Sequence, residues 1–126
     1  MQDKRKAARI SEKAPATVSP SGYGAPDIDQ KLTRCLTEDI SIKGIKIQSE
    51  NFFPMNSTLK IQLSLKEPSR LINMVGKIRW IRKLKASDAY EMGIEIVGTS
   101  REDHVALKRH IEESPNLVKE RRRPWK

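Results

Sequence analysis

The feature that most constrains the fold is a strict alternation of large aliphatic and polar residues in several short segments. In the clearest segment lysine, glutamine and serine alternate with Leu59, Ile61, Leu63 and Leu65. Because successive side chains of a strand point to opposite faces, this alternation predicts a strand with one buried face. The 13 isoleucines are β-branched and favour such a half-buried pleated surface. The chain is therefore predicted to be mainly β.

In further segments, apolar residues are as frequent as is typical of strands. These segments are residues 32–47, 72–80 and 90–96, and the last two are predicted to form a hairpin. Residues 13–30 are rich in proline and glycine and are predicted to form a loop, with at most a short strand near residues 14–19. About six short strands would leave bare edges in an open sheet. A small six-stranded antiparallel barrel satisfies them best.

The inward face changes parity in the middle of the first of these segments. Ile40 and Ile42 occupy even positions, whereas Ile45 occupies an odd one. A turn or bulge is therefore predicted across Lys43 and Gly44. Glycine tolerates the positive φ that such a feature commonly needs, so Gly44 is interpreted as a residue required by the backbone conformation there.

The spacing of apolar residues becomes helical towards the C-terminus. Val105, Leu107 and Ile111 form the expected apolar stripe of a single helix that covers an end of the barrel. Thr99 and Glu102 match a capping box, which predicts that Thr99 caps the helix.

Few side chains offer catalytic or metal chemistry. Trp80 shares the predicted inward face of Ile78 and is expected in the core, and Cys35 is interpreted as a small buried hydrophobe. His104 and His110 are six residues apart on the predicted helix, about 240° round it, and so do not share a face. With no nucleophile beside a base and no Cys/His cluster, the sequence predicts no catalytic residue, no metal site, no cofactor and no enzyme activity.

The formal net charge is +9, which points to an anionic partner or to solubility alone. We divide the chain into a basic arm (1–12), a barrel with its C-terminal helix (13–113) and a basic tail (114–126). Residues 117–126 alone carry five basic side chains and one acidic. A general nucleic-acid-binding barrel is one alternative, although six aromatic residues are few for a single-strand platform. Nucleic acid is therefore disfavoured as a partner.

Targeting signals are not found in the sequence. The N-terminus lacks an apolar stretch of signal-peptide length, and nowhere do about 20 apolar residues run together. A cytoplasmic protein without a membrane span is expected.

Two motifs give a resemblance to a known family. Arg5 and Arg9 are spaced as RxxxR, and Asp39, Ser41 and Gly44 are spaced as DxSxxG, in that order and ahead of the strand-rich body. RxxxR alone is weak in so basic a chain, but DxSxxG needs three fixed residue types and falls on the predicted turn. The chain resembles the PilZ domain family over about residues 4–113.

Later residues extend the resemblance. Gly76 and Trp80 on one strand, and Tyr90 and Gly93 on the next, are similar to the family's pattern. The resemblance implies a six-stranded barrel whose two motifs together bind the bacterial second messenger cyclic di-GMP.

The chemistry of the motif residues fits this ligand. Arginine can pair with guanine O6 and N7, bridge phosphate and stack on a base, so Arg5 and Arg9 are expected to contact guanine edges and phosphates. Asp39 could accept from guanine N1 and N2 or brace an arginine, and Ser41, on the outer face, could bond a base or phosphate. Gly44 would let the backbone approach the ligand. Alternatively, the arginines are solvated, and Asp39 and Ser41 only stabilise a turn.

The leading functional hypothesis is a non-enzymatic receptor. Binding of cyclic di-GMP would order the arm against the barrel and change the surface offered to a downstream protein partner. A ligandless adaptor that works only through protein contacts is a further alternative. The chain is expected to be a monomer or a dimer.

Overall fold

The computed structural model describes residues 8–20, 32–66, 69–115 and 117–118, and Arg5 lies outside these residues. The described residues form eight strands and one helix. In chain order they are β1 (Arg9–Ser11), β2 (Pro15–Pro20), β3 (Thr33–Ser41), β4 (Gly44–Ser49), β5 (Thr58–Leu65), β6 (Arg70–Lys83), β7 (Tyr90–Thr99), α1 (Arg101–Glu112) and β8 (Leu117–Val118). The strand predicted near residues 14–19 is confirmed as β2.

Six of the strands close into a ring. Their order is β2-β5-β6-β7-β4-β3, and β3 pairs back onto β2. All of these pairings are antiparallel, so the predicted six-stranded antiparallel barrel is confirmed. The short strands β1 and β8 lie outside the ring, because β1 pairs with the second half of β3 and β8 pairs with β1.

Aliphatic side chains from every strand of the ring fill the interior. The four alternating residues of β5 are at most 5% exposed, as the sequence predicts. Cys35 is buried, and burial raises the pKa of its thiol, which suits a packing role. The largest side chains with under 2% exposure include Ile10, Ile40, Ile47, Leu59, Ile72, Ile78 and Met92.

Trp80 is not in the core, so that prediction is wrong. The pairing of β6 with β7 shifts register between Ile78 and Trp80, which forms a bulge. The parity of β6 changes there, and Trp80 lies on the outer face with 41% of its surface exposed. Its indole lies against Gly93 of β7, where a Cβ atom would come within 2.0 Å of the ring.

The helix begins one residue later than the capping box predicts. Ser100, not Thr99, is the N-cap, and its Oγ accepts a hydrogen bond from the backbone N–H of Asp103 at 3.1 Å. Leu107 and Ile111 are buried, as predicted, whereas Val105 is 51% exposed and does not belong to the buried stripe.

Within the described ranges, no helix has the length and apolar character that a bilayer span requires.

Candidate functional site

Ser41 shapes the turn between β3 and β4, and of the two predicted alternatives, a turn or a bulge, the structure has the turn. Its Oγ accepts hydrogen bonds from the backbone N–H groups of Lys43 (3.1 Å) and Gly44 (3.0 Å) and donates one to the carbonyl oxygen of Gly44 (3.0 Å). A hydroxyl has one hydrogen and two lone pairs, so all of its bonding capacity is used within the turn. The turn-stabilising interpretation of this residue therefore describes its contacts in this structure.

Gly44 is required for a different reason from the one expected. Its φ lies outside the left-handed region, but a Cβ atom here would stand 2.7 Å from the carbonyl oxygen of Ile94. The hairpin lies so close to β7 at this point that no side chain fits. Close approach of two backbones, not a positive φ, is the constraint on this position.

The short strand β1 brings the end of RxxxR next to DxSxxG. Arg9 pairs with Ser41, Ile10 with Ile40, and Ser11 with Asp39. Ile10 is completely buried, whereas Arg9 is exposed on the outer face. Of the four remaining predicted site residues, Arg9 and Ser41 are thus directly opposite, Asp39 lies two residues before Ser41 on β3, and Gly44 starts β4. The one feature of the sequence that could have indicated β1 is Ile10, an apolar residue that stands alone between Arg9 and Ser11.

The path of the chain from β1 to β2 is fixed by Thr37 of β3. Its hydroxyl donates to the carbonyl oxygen of Glu12 at 2.6 Å and accepts from the N–H of Ala14 at 2.9 Å. Two backbone hydrogen bonds, from Glu12 to Glu38 and from Thr37 to Ala14, accompany it. These bonds hold β1 in register with β3, a role of Thr37 that no sequence pattern indicates.

A bulge in β3 turns two consecutive carboxylates to the outer surface. The register with β4 shifts between Thr37 and Asp39, so Glu38 and Asp39 both lie outward while Thr37 and Ile40 lie inward. Lys46 of β4 stands opposite, with its Nζ 3.4 Å from Asp39 Oδ2 and 3.8 Å from Glu38 Oε1.

Two further residues complete what we call the ion cluster, which consists of Glu38, Asp39, Lys46, Arg82 and Glu91. Lys46 Nζ is 3.9 Å from Glu91 Oε2, and Arg82 pairs with the other oxygen of Glu91. Every carboxylate of the cluster therefore has a cationic neighbour. Within the described part of the chain, no group of His, Cys, Asp and Glu has a metal-binding arrangement.

Glu38 and Glu91 shift each other's titration in opposite directions. Burial, with Glu91 beside it as hydrogen-bond partner and as a like charge, raises the pKa of Glu38. Hydrogen bonds from Glu38 and then from Arg82 lower the pKa of Glu91, against its own burial. Glu38 is thus the member of the pair that holds the proton first as the pH falls.

Replacement of Glu38 by glutamine is expected to stabilise the protein near neutral pH. A raised folded-state pKa means that Glu38 contributes stability below its unfolded-state pKa and loses that contribution as the pH rises through the folded-state value. Glu38→Gln keeps the uncharged form at all pH values, so its free energy of unfolding should exceed the wild type's by up to about 1 kcal/mol at pH 7.

Urea denaturation between pH 4 and 8 measures this difference. The gain should shrink towards acid pH, where the wild type is itself protonated at Glu38. Glu50→Gln, at an exposed position just beyond β4, is the matched control and should change little at any pH. A variant less stable than wild type at pH 7 would contradict the assignment.

The predicted site lies apart from a groove of about 1230 Å³ between the β1–β2 link and α1, whose lining does not include Asp39, Ser41 or Gly44. In that groove His110 Nε2 lies 3.0 Å from Glu12 Oε1 and ties the helix to the link.

Comparisons with known proteins agree with this architecture. The family model for the PilZ domain matches residues 3–113. The Bacillus subtilis inhibitor of motility MotI/DgrA superposes with a TM-score of 0.71 at 20% identity over 86% of this chain. The match covers 50% of MotI, so the chain spans about half the length of that protein.

A second solved structure gives a similar fold. The PilZ domain of Escherichia coli YcgR, solved with c-di-GMP, superposes with a TM-score of 0.63 at 15% identity, covering 87% of this chain and 90% of that one. At these identities the likeness shows the fold. Comparison with curated proteins gives no match.

Proposed function

The chain belongs to the PilZ domain family, a cyclic di-GMP-binding family, and on that premise we propose that it is a cyclic di-GMP receptor and not an enzyme. The observation that carries the proposal is the register of β1, which sets Arg9 directly beside Ser41. The two motifs are separated by about 30 residues in sequence, and this pairing brings them together. The YcgR domain, with the same fold, was solved with c-di-GMP.

The proposed contacts follow from which side chains of the site are free to contact a ligand. Arg9 is exposed and can pair with a guanine edge or a phosphate. Asp39 keeps 28% of its side chain exposed beside Lys46 and can accept from the paired guanine donors. Ser41 holds the turn, so its contribution is the geometry that allows the backbone at Gly44 to approach the ligand. Arg5, outside the described residues, is proposed to contact the ligand from the arm.

The position of the turn beside β1 supports a role for the arm in signalling. The chain enters β1 at Arg9, directly opposite Ser41, so the arm starts next to a ligand bound at the turn, and covering that ligand changes the surface of the molecule. We propose that a downstream protein partner reads this changed surface. Coupling of binding to ordering is a common arrangement for short charged segments.

The direct test is calorimetric titration with cyclic di-GMP, using cyclic di-AMP as the matched ligand. Both ligands carry two phosphodiesters, but only guanine offers O6 and the N1 and N2 donors. Saturable binding of cyclic di-GMP with much weaker binding of cyclic di-AMP is expected. Equal affinities for both, or strongly salt-dependent binding to any oligonucleotide, would contradict the receptor proposal and favour a general nucleic-acid-binding barrel.

A further inference from the structure

One residue outside both motifs stands beside the carboxylate of the proposed ligand site. Lys46 of β4 is opposite Asp39 of β3, and its Nζ lies 3.4 Å from Asp39 Oδ2. Ser11, on the other side of Asp39, carries no charge. Among the described residues, Asp39 has no other ion-pair partner. A single lysine therefore sets the ionic surroundings of this carboxylate.

The ammonium group of Lys46 is itself held by several carboxylates. Its Nζ lies 3.8 Å from Glu38 Oε1 and 3.9 Å from Glu91 Oε2. The side chain of Glu91 is only 8% exposed, and its other oxygen pairs with Arg82 of β6. A long side chain keeps one orientation when its charged end is held by groups that are fixed themselves. Lys46 is thereby held next to Asp39.

Lys46 also offsets the repulsion between the two carboxylates that the β3 bulge turns outward. Glu38 and Asp39 are consecutive, and the same ammonium group lies near both. Like charges on neighbouring side chains repel each other. Without Lys46 the two carboxylates would turn apart, and the Asp39 side chain, which is 28% exposed, would rotate into solvent. The orientation of Asp39 therefore depends on Lys46.

The ion pair leaves most of the acceptor capacity of Asp39 unused. A carboxylate has about four lone-pair sites on its two oxygens, and Lys46 lies near only Oδ2. Guanine presents its N1 and N2 donors side by side, so both can be received by a carboxylate that is held in one orientation. An acceptor that is already oriented loses less conformational freedom on binding than one that rotates.

We propose that Lys46 is a positioning residue of the cyclic di-GMP site, which orients the Asp39 carboxylate towards the N1 and N2 donors of guanine. This inference rests on the proposed function and adds to it a residue that belongs to neither motif. Lys46 acts on the ligand through Asp39, so its effect on affinity requires the Asp39 carboxylate.

The test is a double-mutant cycle of Lys46→Gln and Asp39→Asn, with cyclic di-GMP affinity measured by calorimetric titration. Lys46→Gln is expected to weaken binding about five- to tenfold in the wild-type background but less than about twofold in the Asp39→Asn background, since effects that pass through one contact are not additive. The matched control is Lys83→Gln, which removes the same charge from the ion pair with Asp88 in the β6–β7 turn. This control should bind within about twofold of wild type.

A second readout separates positioning from a purely structural role. Cyclic di-inosine monophosphate has the same two phosphodiesters, but its base lacks the N2 donor of guanine. The wild type should prefer cyclic di-GMP over this ligand, and Lys46→Gln should reduce the preference, because the second donor then lacks an oriented acceptor. A structural role of Lys46 would leave the ratio of the two affinities unchanged.

The outcomes separate this inference from the receptor proposal. If the wild type itself does not bind cyclic di-GMP, the receptor proposal fails. If the wild type binds and Lys46→Gln matches Lys83→Gln, only the role of Lys46 is overturned. An equal loss in both backgrounds, or an unchanged affinity ratio, would also overturn it, since Lys46 would then act independently of Asp39. Thermal unfolding checks that each variant remains folded.

Discussion

Arg9→Ala is expected to weaken cyclic di-GMP binding by about ten- to a hundredfold, because a charge-assisted hydrogen bond is worth about 1.5–3 kcal/mol. The side chain is exposed on the outer face beside Ser41, so its loss leaves no cavity in the core. Arg34→Ala, at an exposed position near the start of β3, removes the same charge from the same sheet and is the matched control. Isothermal titration of the two variants gives the comparison.

Arg5→Ala should reduce affinity in the same range if the arm reaches the ligand. Trypsin digestion of the wild-type chain tests the ordering step, because a ligand-covered arm should be cut more slowly after Arg5 and Lys6. Unchanged affinity in both single-arginine variants would remove the proposed site. Equal digestion with and without ligand would leave binding intact and contradict the ordering of the arm.

Gly44→Ala is expected to destabilise the barrel by about 1–3 kcal/mol, the usual range for forcing an extra methyl group into close-packed structure. The new Cβ would meet the Ile94 carbonyl oxygen at 2.7 Å, and a backbone atom cannot rotate away as a side chain can. The β3–β4 turn and β7 must therefore separate, which also moves the Ser41 turn. Equilibrium urea unfolding reports the loss in free energy.

Gly98→Ala in β7 is the control for this substitution. A Cβ atom there meets only the Val75 side chain at 3.7 Å, an ordinary van der Waals distance. This variant should match or slightly exceed wild-type stability, since alanine restricts the unfolded chain more than glycine does. Equal urea midpoints for the two glycine variants would show that the close approach of β4 to β7 does not constrain the fold.

The regular strands can be predicted from sequence because their burial alternates without interruption. Leu59–Leu65 alternates from end to end, and β5 has the predicted buried face. The change of parity after Ile42 correctly indicates the β3–β4 turn, because two isoleucine pairs of opposite parity cannot share one face of a continuous strand.

Bulges are where sequence reasoning fails. The bulge in β6 moves Trp80 to the surface, and the one in β3 turns Glu38 outward with Asp39. The three-residue spacing of Ile78 and Ile81 was the available signal in β6. In the sequence of a single strand, such a spacing fits a bulge and equally fits a regular strand with a polar residue at an inward position. The two cannot be distinguished, since a bulge depends on the pairing partner.

The candidate site was predictable in part. Counting back from the turn places Lys46 opposite Asp39, so this ion pair follows from hairpin register alone. Glu91 joins the ion cluster through the pairing of β4 with β7, which connects residues far apart in sequence, and Arg82 faces Glu91 across the β6–β7 hairpin. Long-range pairings of this kind are not encoded in any local pattern.

The ring closes through β2, and β1 is attached to it from outside. Detachment of β1 from β3 would leave all six strands of the ring paired. Its main apolar contribution to the free-energy cost is the exposure of Ile10, roughly 1.5–3 kcal/mol. That is a fraction of the 5–15 kcal/mol typical of whole-domain unfolding. Detachment of β1 is thus expected to be a sub-global event, and substitutions at residue 10 would change its frequency while the six-stranded ring stays closed.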